Sequence, residues 1–191
     1  MKALRDDFTA KMGELDPNDL VFLDEFGANL AMVPRYGWAP SGERVHINKP
    51  SKRGRNITFA GALSLGGVLG LVALPGSATV ANFVEWVRCS LVPGLRAGQV
   101  VIMDNLTAHH NEAVASLIEG AGARILFLPP YSPDLTPIEE CWSKIKTFLR
   151  KARARSEDAL VTAVDMGSEM VTSVDAGGWF GHAGYRVHQL A

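Results

Sequence analysis

Between Leu20 and Leu128 the chain is punctuated by short apolar runs: Leu20–Asp24, Ile57–Leu65, Val68–Leu74, Val100–Asp104 and Ile125–Leu128. The first, fourth and fifth are continuous rather than alternating, the pattern of strands buried on both faces. Ile57, Phe59, Gly61, Leu63 and Leu65 alternate, and Gly66-Gly67 offers the positive φ angles of a two-residue hairpin turn, after which Val68–Leu74 returns. A further short strand over Asn29–Val33 is expected to pair with the first after a Glu25-Phe26-Gly27 turn. Helical spacing marks the rest. Phe8, Met12 and Leu15 lie on one face of a lead-in helix stopped at Pro17. Phe83, Trp86, Val87 and Leu91 follow a cap at Ser77 or Thr79 and end before Pro93-Gly94, and Val114, Leu117 and Ile118 follow a cap at Asn111. Ile138, Trp142, Ile145 and Leu149 form a core stripe at steps of four, three and four. A last helix runs from Ser156 to about Val171, and the aromatic, Gly-rich tail from Trp179 to His188 is expected to pack as an irregular cap.

This order predicts an α/β fold, a mixed sheet with an antiparallel hairpin plus parallel strands, flanked by helices. Right-handed crossovers make the Asp24 and Asp104 strands parallel neighbours with both carboxyl ends on one edge, where α/β sheets place their ligands. We divide the chain into a lead-in helix (1–19), a main domain (20–155) and a C-terminal helix with its cap (156–191). The 191 residues are 47% hydrophobic and 20% charged, enough apolar material for a sizeable core. Cys89 and Cys141 match no disulfide framework or zinc spacing and are read as reduced thiols of a cytoplasmic protein. The N-terminus has no apolar signal region, and the uncharged stretch Asn56–Val84 is too broken by glycine and Pro75 to be a membrane span.

Net charge is −1, so a polyanion surface has to be local. Two stretches qualify. Arg35, Arg44, Lys49, Lys52, Arg53 and Arg55 are opposed only by Glu43, with Tyr36, Trp38 and His46 interleaved; Lys144, Lys146, Arg150, Lys151, Arg153 and Arg155 lie in a run without acids. A solvated helix face is the ordinary meaning of such a run, and covering the core is the ordinary role of a tryptophan such as Trp38.

The chemistry rests on Asp24, Asp104 and Glu139. Each has a plain structural account: a strand exit for the two aspartates, and for Glu139 the closing member of a capping box with Thr136 as cap and Pro137 at the first helical position. Taken together, they suggest a site for divalent metal, because clustered carboxylates without a cation repel and one must stay protonated. All-oxygen ligands suit magnesium or manganese, and a pair of such ions can activate water and stabilise a leaving oxygen in phosphodiester cleavage. Of the adjacent His109 and His110, which point different ways, one is read either as a proton shuttle or phosphate donor or as a helix-start hydrogen bond, with His109 the auxiliary candidate and Asn105 a second. Asp134 and Glu140 are spare acids near the site, and Cys141 a buried thiol.

The segment LPPYSPDLTPIEECWSKIK (Leu128–Lys146) resembles the third-acid signature of mariner-like transposases and their bacterial insertion-sequence relatives. Leu23-Asp24-Glu25-Phe26-Gly27 resembles the first-acid motif and VVIMDNLTAHH (Val100–His110) the second; Arg35-Tyr36-Gly37-Trp38-Ala39-Pro40 is similar to a loop of the insertion-sequence branch. Asp104 and Glu139 are separated by 34 residues, as in the Asp-Asp-Glu members. The resemblance implies an RNase H-like fold shared with retroviral integrases, with Asp24, Asp104 and Glu139 (not Glu140) as catalytic acids. It implies two Mg2+ ions, replaceable by Mn2+, and cut-and-paste DNA cleavage and strand transfer, with target joining at a TA dinucleotide. It implies DNA as partner (transposon ends and target), a homodimer, and a bacterial cytoplasmic, nucleoid-associated location. Relatives carry N-terminal helix-turn-helix domains, which no pattern before Leu20 matches. A separately encoded DNA-reading protein is therefore one expectation. Its alternatives are a truncated or domesticated remnant that binds DNA or dimerises without cutting, and an RNase H-like nuclease.

Overall fold

The computed structural model describes residues 2–52, 54–76, 79–106 and 109–187. Helix α1 (Lys2–Gly13) is followed by strand β1 (Leu20–Ala28), the hairpin β2 (Ile57–Ser64) and β3 (Gly67–Ala73), and helix α2 (Val80–Trp86). Strand β4 (Val100–Met103), helix α3 (Glu112–Gly120) and strand β5 (Arg124–Phe127) complete the sheet; α4 (Ile138–Ala152), α5 (Glu157–Glu169) and α6 (Ser173–His182) follow.

The five strands lie in the order β3-β2-β1-β4-β5. β1 runs antiparallel to β2 and parallel to β4, which is parallel to β5, so the mixed sheet and the parallel pairing expected from the apolar runs are both present. Alternation sorts the side chains of β1 into two cores. Leu20, Phe22 and Phe26 join α1, α4, α5 and α6 on one face; Val21 and Leu23 join α2 and α3 on the other. The α4 stripe of Ile138, Trp142, Ile145 and Leu149 is wholly buried in the first core.

Four expectations are corrected. β1 does not turn at Glu25-Phe26-Gly27 but continues to Ala28, paired residue by residue with β2 as far as Ile57, and 29–33 forms no strand. The hairpin turn is Leu65-Gly66, with Ser64 paired to Gly67, and only Gly67 of the two glycines has a positive φ, 119°. The tail is irregular only in part: α6, started by a full capping box between Thr172 and Asp175 and anchored by buried Ala176 and Phe180, takes in Trp179–His182, while 183–187 form no helix or strand and His188 lies outside the described residues. At α4 the expected capping box is absent. Pro137 is the cap residue, with no side-chain hydrogen bond, so Glu139 owes nothing to that arrangement.

Of the two candidate caps for α2, Thr79 accepts from Asn82 N; Ser77 lies outside the described residues. Cys141 is buried, which raises its thiol to about 12, and Cys89 is exposed. No helix among the described residues is long and apolar enough to cross a membrane.

Candidate metal and nucleic-acid site

Three elements bring the predicted acids to one rim of the sheet. β1 and β4 are paired in parallel through Leu20–Val100, Val21–Val101 and Phe22–Ile102. Two residues further along each chain, Asp24 and Asp104 therefore stand at the same level on neighbouring strands. Asp24 shares the face of Phe22 and Phe26, the face covered by α4, and Trp142 Nε1 of α4 donates to Asp24 Oδ2 at 3.1 Å. The register also sets Asp24 opposite Gly61, where a Cβ would lie 2.9 Å from Trp142 Cη2, so the missing side chain makes room for the indole against the sheet. Phe26 packs on Trp142 at 4.8 Å between ring centroids.

Glu139 is exposed in the first turn of α4. The loop that delivers it is tied from two sides. Arg5 of α1 donates to Ser132 Oγ at 2.9 Å and Asp134 Oδ1 at 3.0 Å, and the Tyr185 hydroxyl donates to the Leu135 carbonyl at 2.6 Å. Asp134 is thus a partner of Arg5 and its carboxyl is held below the usual range by that bond. Glu140 faces His182, Oε1 to Nε2 at 3.7 Å.

The electrostatics follow from this placement. Burial raises the Asp24 carboxyl to about 7, and the negative charges of Glu139, Glu25 and Asp104 push the same way, against a partial offset from the Glu25 backbone amide. Asp104 behaves oppositely. Burial would raise it, but hydrogen bonds from His109 and from the Leu106 amide prevail and lower it. Among the described residues, no three His, Cys, Asp or Glu side chains are already gathered as ligands of one metal ion. The acids are coupled by charge while Asp24 and Asp104 are held by protein donors. The donor set nevertheless fits a hard divalent cation: it is all carboxylate, and burial, with the charges of Glu139, Glu25 and Asp104 added, keeps a proton on Asp24 that a cation would displace.

His109 is buried and packs against Phe83, ring centroids 4.7 Å apart and planes tilted by 37°. Its Nδ1 lies 2.7 Å from Asp104 Oδ1, and its Nε2 lies 3.4 Å from Oε2 of Glu25, an acid whose side chain is only 14% exposed. Burial would lower this imidazole, but the bonds to Asp104 and Glu25 and the charge of Glu25 raise it to about 10. A helix-start role is thereby excluded for His109, since Asn111 caps α3. Asn105 ties the loop down, donating to the Leu128 carbonyl at 2.6 Å, while His110 stacks on Phe127 at 4.1 Å. Glu25 and the Trp142 indole were not singled out from the sequence. Strand alternation was the available signal for Glu25: it turns the residue after Asp24 toward the α2 side, where an acid needs a partner.

The metal-free protein is therefore expected to lose stability as pH rises. Asp24 holds its proton to about 7 when folded against 3.8 ordinarily, so its contribution is complete below 3.8 and lost by about 7. His109, at about 10 against 6.5, contributes fully below 6.5 and loses that contribution as pH approaches 10. Thermal melts in chelator should fall from pH 5 to pH 9, and Asp24→Asn should flatten the lower part of that slope. A melting temperature that climbs from pH 5 to pH 7 would contradict the assignment.

The basic positions are unevenly available. Arg35, Arg44, Lys49 and Lys52 are exposed on the long segment between β1 and β2, beside Tyr36 (91% exposed) and Trp38 (101% exposed). The Arg35 charge, after burial, lowers Arg150 of α4, so the two basic stretches meet in space. Lys151 is exposed, and the Lys146 ammonium sits 5.4 Å from the Phe26 ring centroid. Arg55 and Lys144 are engaged at 2.6 Å with Glu157 and Asp175. Arg53 lies outside the described residues.

The comparisons with known proteins bear on the fold and the family. The fold matches the Mos1 transposase paired-end complex with left transposon end at 16% identity and TM-score 0.71, covering 94% of this chain and 56% of that one. The chain thus spans little more than half the length of that transposase. The catalytic domain of Mos1 mariner transposase matches at 14% identity and TM-score 0.67, with 95% and 84% covered. The catalytic core domain of BIV integrase matches at 15% identity and TM-score 0.50, with 78% and 80% covered. Solved Mos1 structures include one with Mn and one of the catalytic domain and Raltegravir with Mg. The RNase H-like architecture inferred from the motifs is thereby established. No curated protein matches the chain. The sequence model of the DDE superfamily endonucleases matches residues 19–161, well over half of the 191 residues and a span that contains Asp24, Asp104 and Glu139. The chain belongs to the DDE superfamily endonuclease family.

Proposed function

We propose that this chain is the catalytic domain of a transposase, cutting DNA and joining the freed end to target DNA with Asp24, Asp104 and Glu139 as the acids that hold Mg2+. The observation that carries the reading is the parallel register that levels Asp24 with Asp104, together with the Glu139 charge felt at Asp24. Magnesium bound there would supply Lewis-acid activation of water and charge stabilisation of the leaving oxygen. The protein's own part is to place acids and exclude competing partners. Trp142 fixes one oxygen of Asp24, the buried Glu25–His109 pair fixes one oxygen of Asp104, and the tethered proline loop fixes the start of α4 under Glu139.

DNA would approach over Arg35, Arg44, Lys49 and Lys52 on the segment and Arg150 and Lys151 on α4. Neighbouring Arg35 and Arg150 repel until a polyanion lies between them, which suits a phosphate backbone better than a neutral ligand. Tyr36 and Trp38, wholly exposed, suit stacking on unpaired bases. Two copies acting together on transposon ends, and joining at TA, belong to the same proposal. Action on transposon ends is supported by the paired-end complex of Mos1 with a transposon end among the structural neighbours.

Incubation with supercoiled plasmid in Mg2+ is expected to give nicked circles, and none in chelator or with Asp104→Asn. DNA affinity should fall more than about tenfold between 50 and 200 mM salt. Nicking that persists in chelator, or in a folded Asp104→Asn protein, would reject the reading.

A further inference from the structure

His109 and Glu25 form an arrangement that the three acids alone do not require. Glu25 follows Asp24 on β1 but turns to the opposite side of the sheet, where only 14% of its side chain is exposed. His109 enters from the loop after β4 with its side chain 0% exposed, pressed against Phe83 of α2. Its Nδ1 meets both the backbone carbonyl of Asp104 (3.1 Å) and that residue's Oδ1 (2.7 Å). Its Nε2 and Oε2 of Glu25 are both buried and lie 3.4 Å apart at ion-pair distance, and neither has a hydrogen-bond partner among the described residues. A buried acid and imidazole left facing one another cost stability unless they serve each other.

We infer that Glu25 and His109 are positioning residues: Glu25 orients the imidazole, and the imidazole fixes the Asp104 carboxylate by Oδ1, leaving Oδ2 without a donor among the described residues. The Leu106 amide, 3.1 Å from the same Oδ1, adds to the clamp. The inference rests on the proposal that Asp104 is a metal ligand. It adds that the ligand's orientation is set before the ion arrives, by a pair that never touches it. Outer partners of metal ligands act in this way, and their loss lowers metal affinity by about 10–100-fold. Phe83, with its ring centroid 4.7 Å from that of the imidazole, closes the space beside the ring.

The test uses Mn2+ binding to the metal-free chain by titration calorimetry, without DNA. His109→Asn keeps a donor near the Nδ1 position, whereas His109→Gln moves it toward the Nε2 position. Both are neutral amides, so a merely structural histidine would tolerate or reject them alike. We expect His109→Gln to weaken Mn2+ binding about 10–100-fold, His109→Asn to stay within about threefold of the parent, and Glu25→Gln to weaken it about three- to tenfold. Equal affinities for the two His109 variants, or parental affinity in Glu25→Gln, would overturn the inference. If His109→Gln fails to fold, the isosteric Glu25→Gln decides alone. Parental affinity in Asp104→Asn would instead remove Asp104 as a ligand and with it the underlying reading, so the two failures are told apart.

Discussion

Glu139→Gln is expected to leave the fold intact and to lower Mg2+-dependent DNA cleavage by at least about 10³-fold, on the order of 4 kcal/mol. The prediction is sharp because the structure removes the rival account. A glutamine would serve a capping box nearly as well as a glutamate, but no such box closes at α4, where Pro137 caps without a side-chain bond. What remains for the acid in structural terms is the attraction of a first-turn charge to the helix dipole, about 0.3–1 kcal/mol. Glu139 is exposed, makes no described ion pair, and lies near enough to Asp24 to raise its carboxyl. Parallel thermal melts and plasmid-nicking assays decide it. A variant that still cuts would make Glu139 a helix-start charge and nothing more.

Trp142→Ala should be the most damaging change to the fold, by about 3–5 kcal/mol, or a melting temperature lower by roughly 6–20 °C. Trp142 is 1% exposed, packs on Phe26, fills the space opposite Gly61 and donates to Asp24. Alanine opens a cavity and strips the buried carboxylate of its donor at once. Trp142→Phe separates these effects: the ring volume is largely kept, the donor is lost, and the cost should drop to about 1–3 kcal/mol. Equal melting temperatures for the two variants would mean that packing at this position matters less than described.

Most of the sheet was legible in the residues. Leu20–Leu23 and Val100–Met103 are buried on both faces, so a continuous apolar run reads as a strand whatever surrounds it. The α4 stripe was equally plain, since a charged outer face sets off the buried Ile138, Trp142, Ile145 and Leu149. The β1 turn was misplaced because Glu25 and Gly27 look like turn residues; pairing to β2 through Ala28 overrides that local preference. α6 was hidden by Gly177, Gly178 and Gly181, which lower helix propensity. Its Thr172–Asp175 box and the burial of Phe180 supply what propensity does not.

The site divides along the same line. Asp104 follows the end of β4 and Asp24 closes the apolar run that opens β1, both places that the hydrophobic pattern can locate, and their common level follows from a register of three pairs. The contact of Glu25 with His109 was not legible. It joins residues far apart in sequence through a space closed by Phe83 of a third element, and nothing in either motif specifies that geometry. The meeting of Arg35 with Arg150 is of the same kind: two basic runs were visible, their convergence was not.

The central claim is that Asp24, Asp104 and Glu139 together bind divalent metal, and the most direct test is anomalous diffraction from crystals of the chain grown in Mn2+. Manganese peaks among the carboxylates of these three residues, absent from crystals of Asp104→Asn, are the expected result. A saturating Mn2+ soak that leaves that rim empty, or that places the ion at Glu140 and His182 instead, would contradict the account.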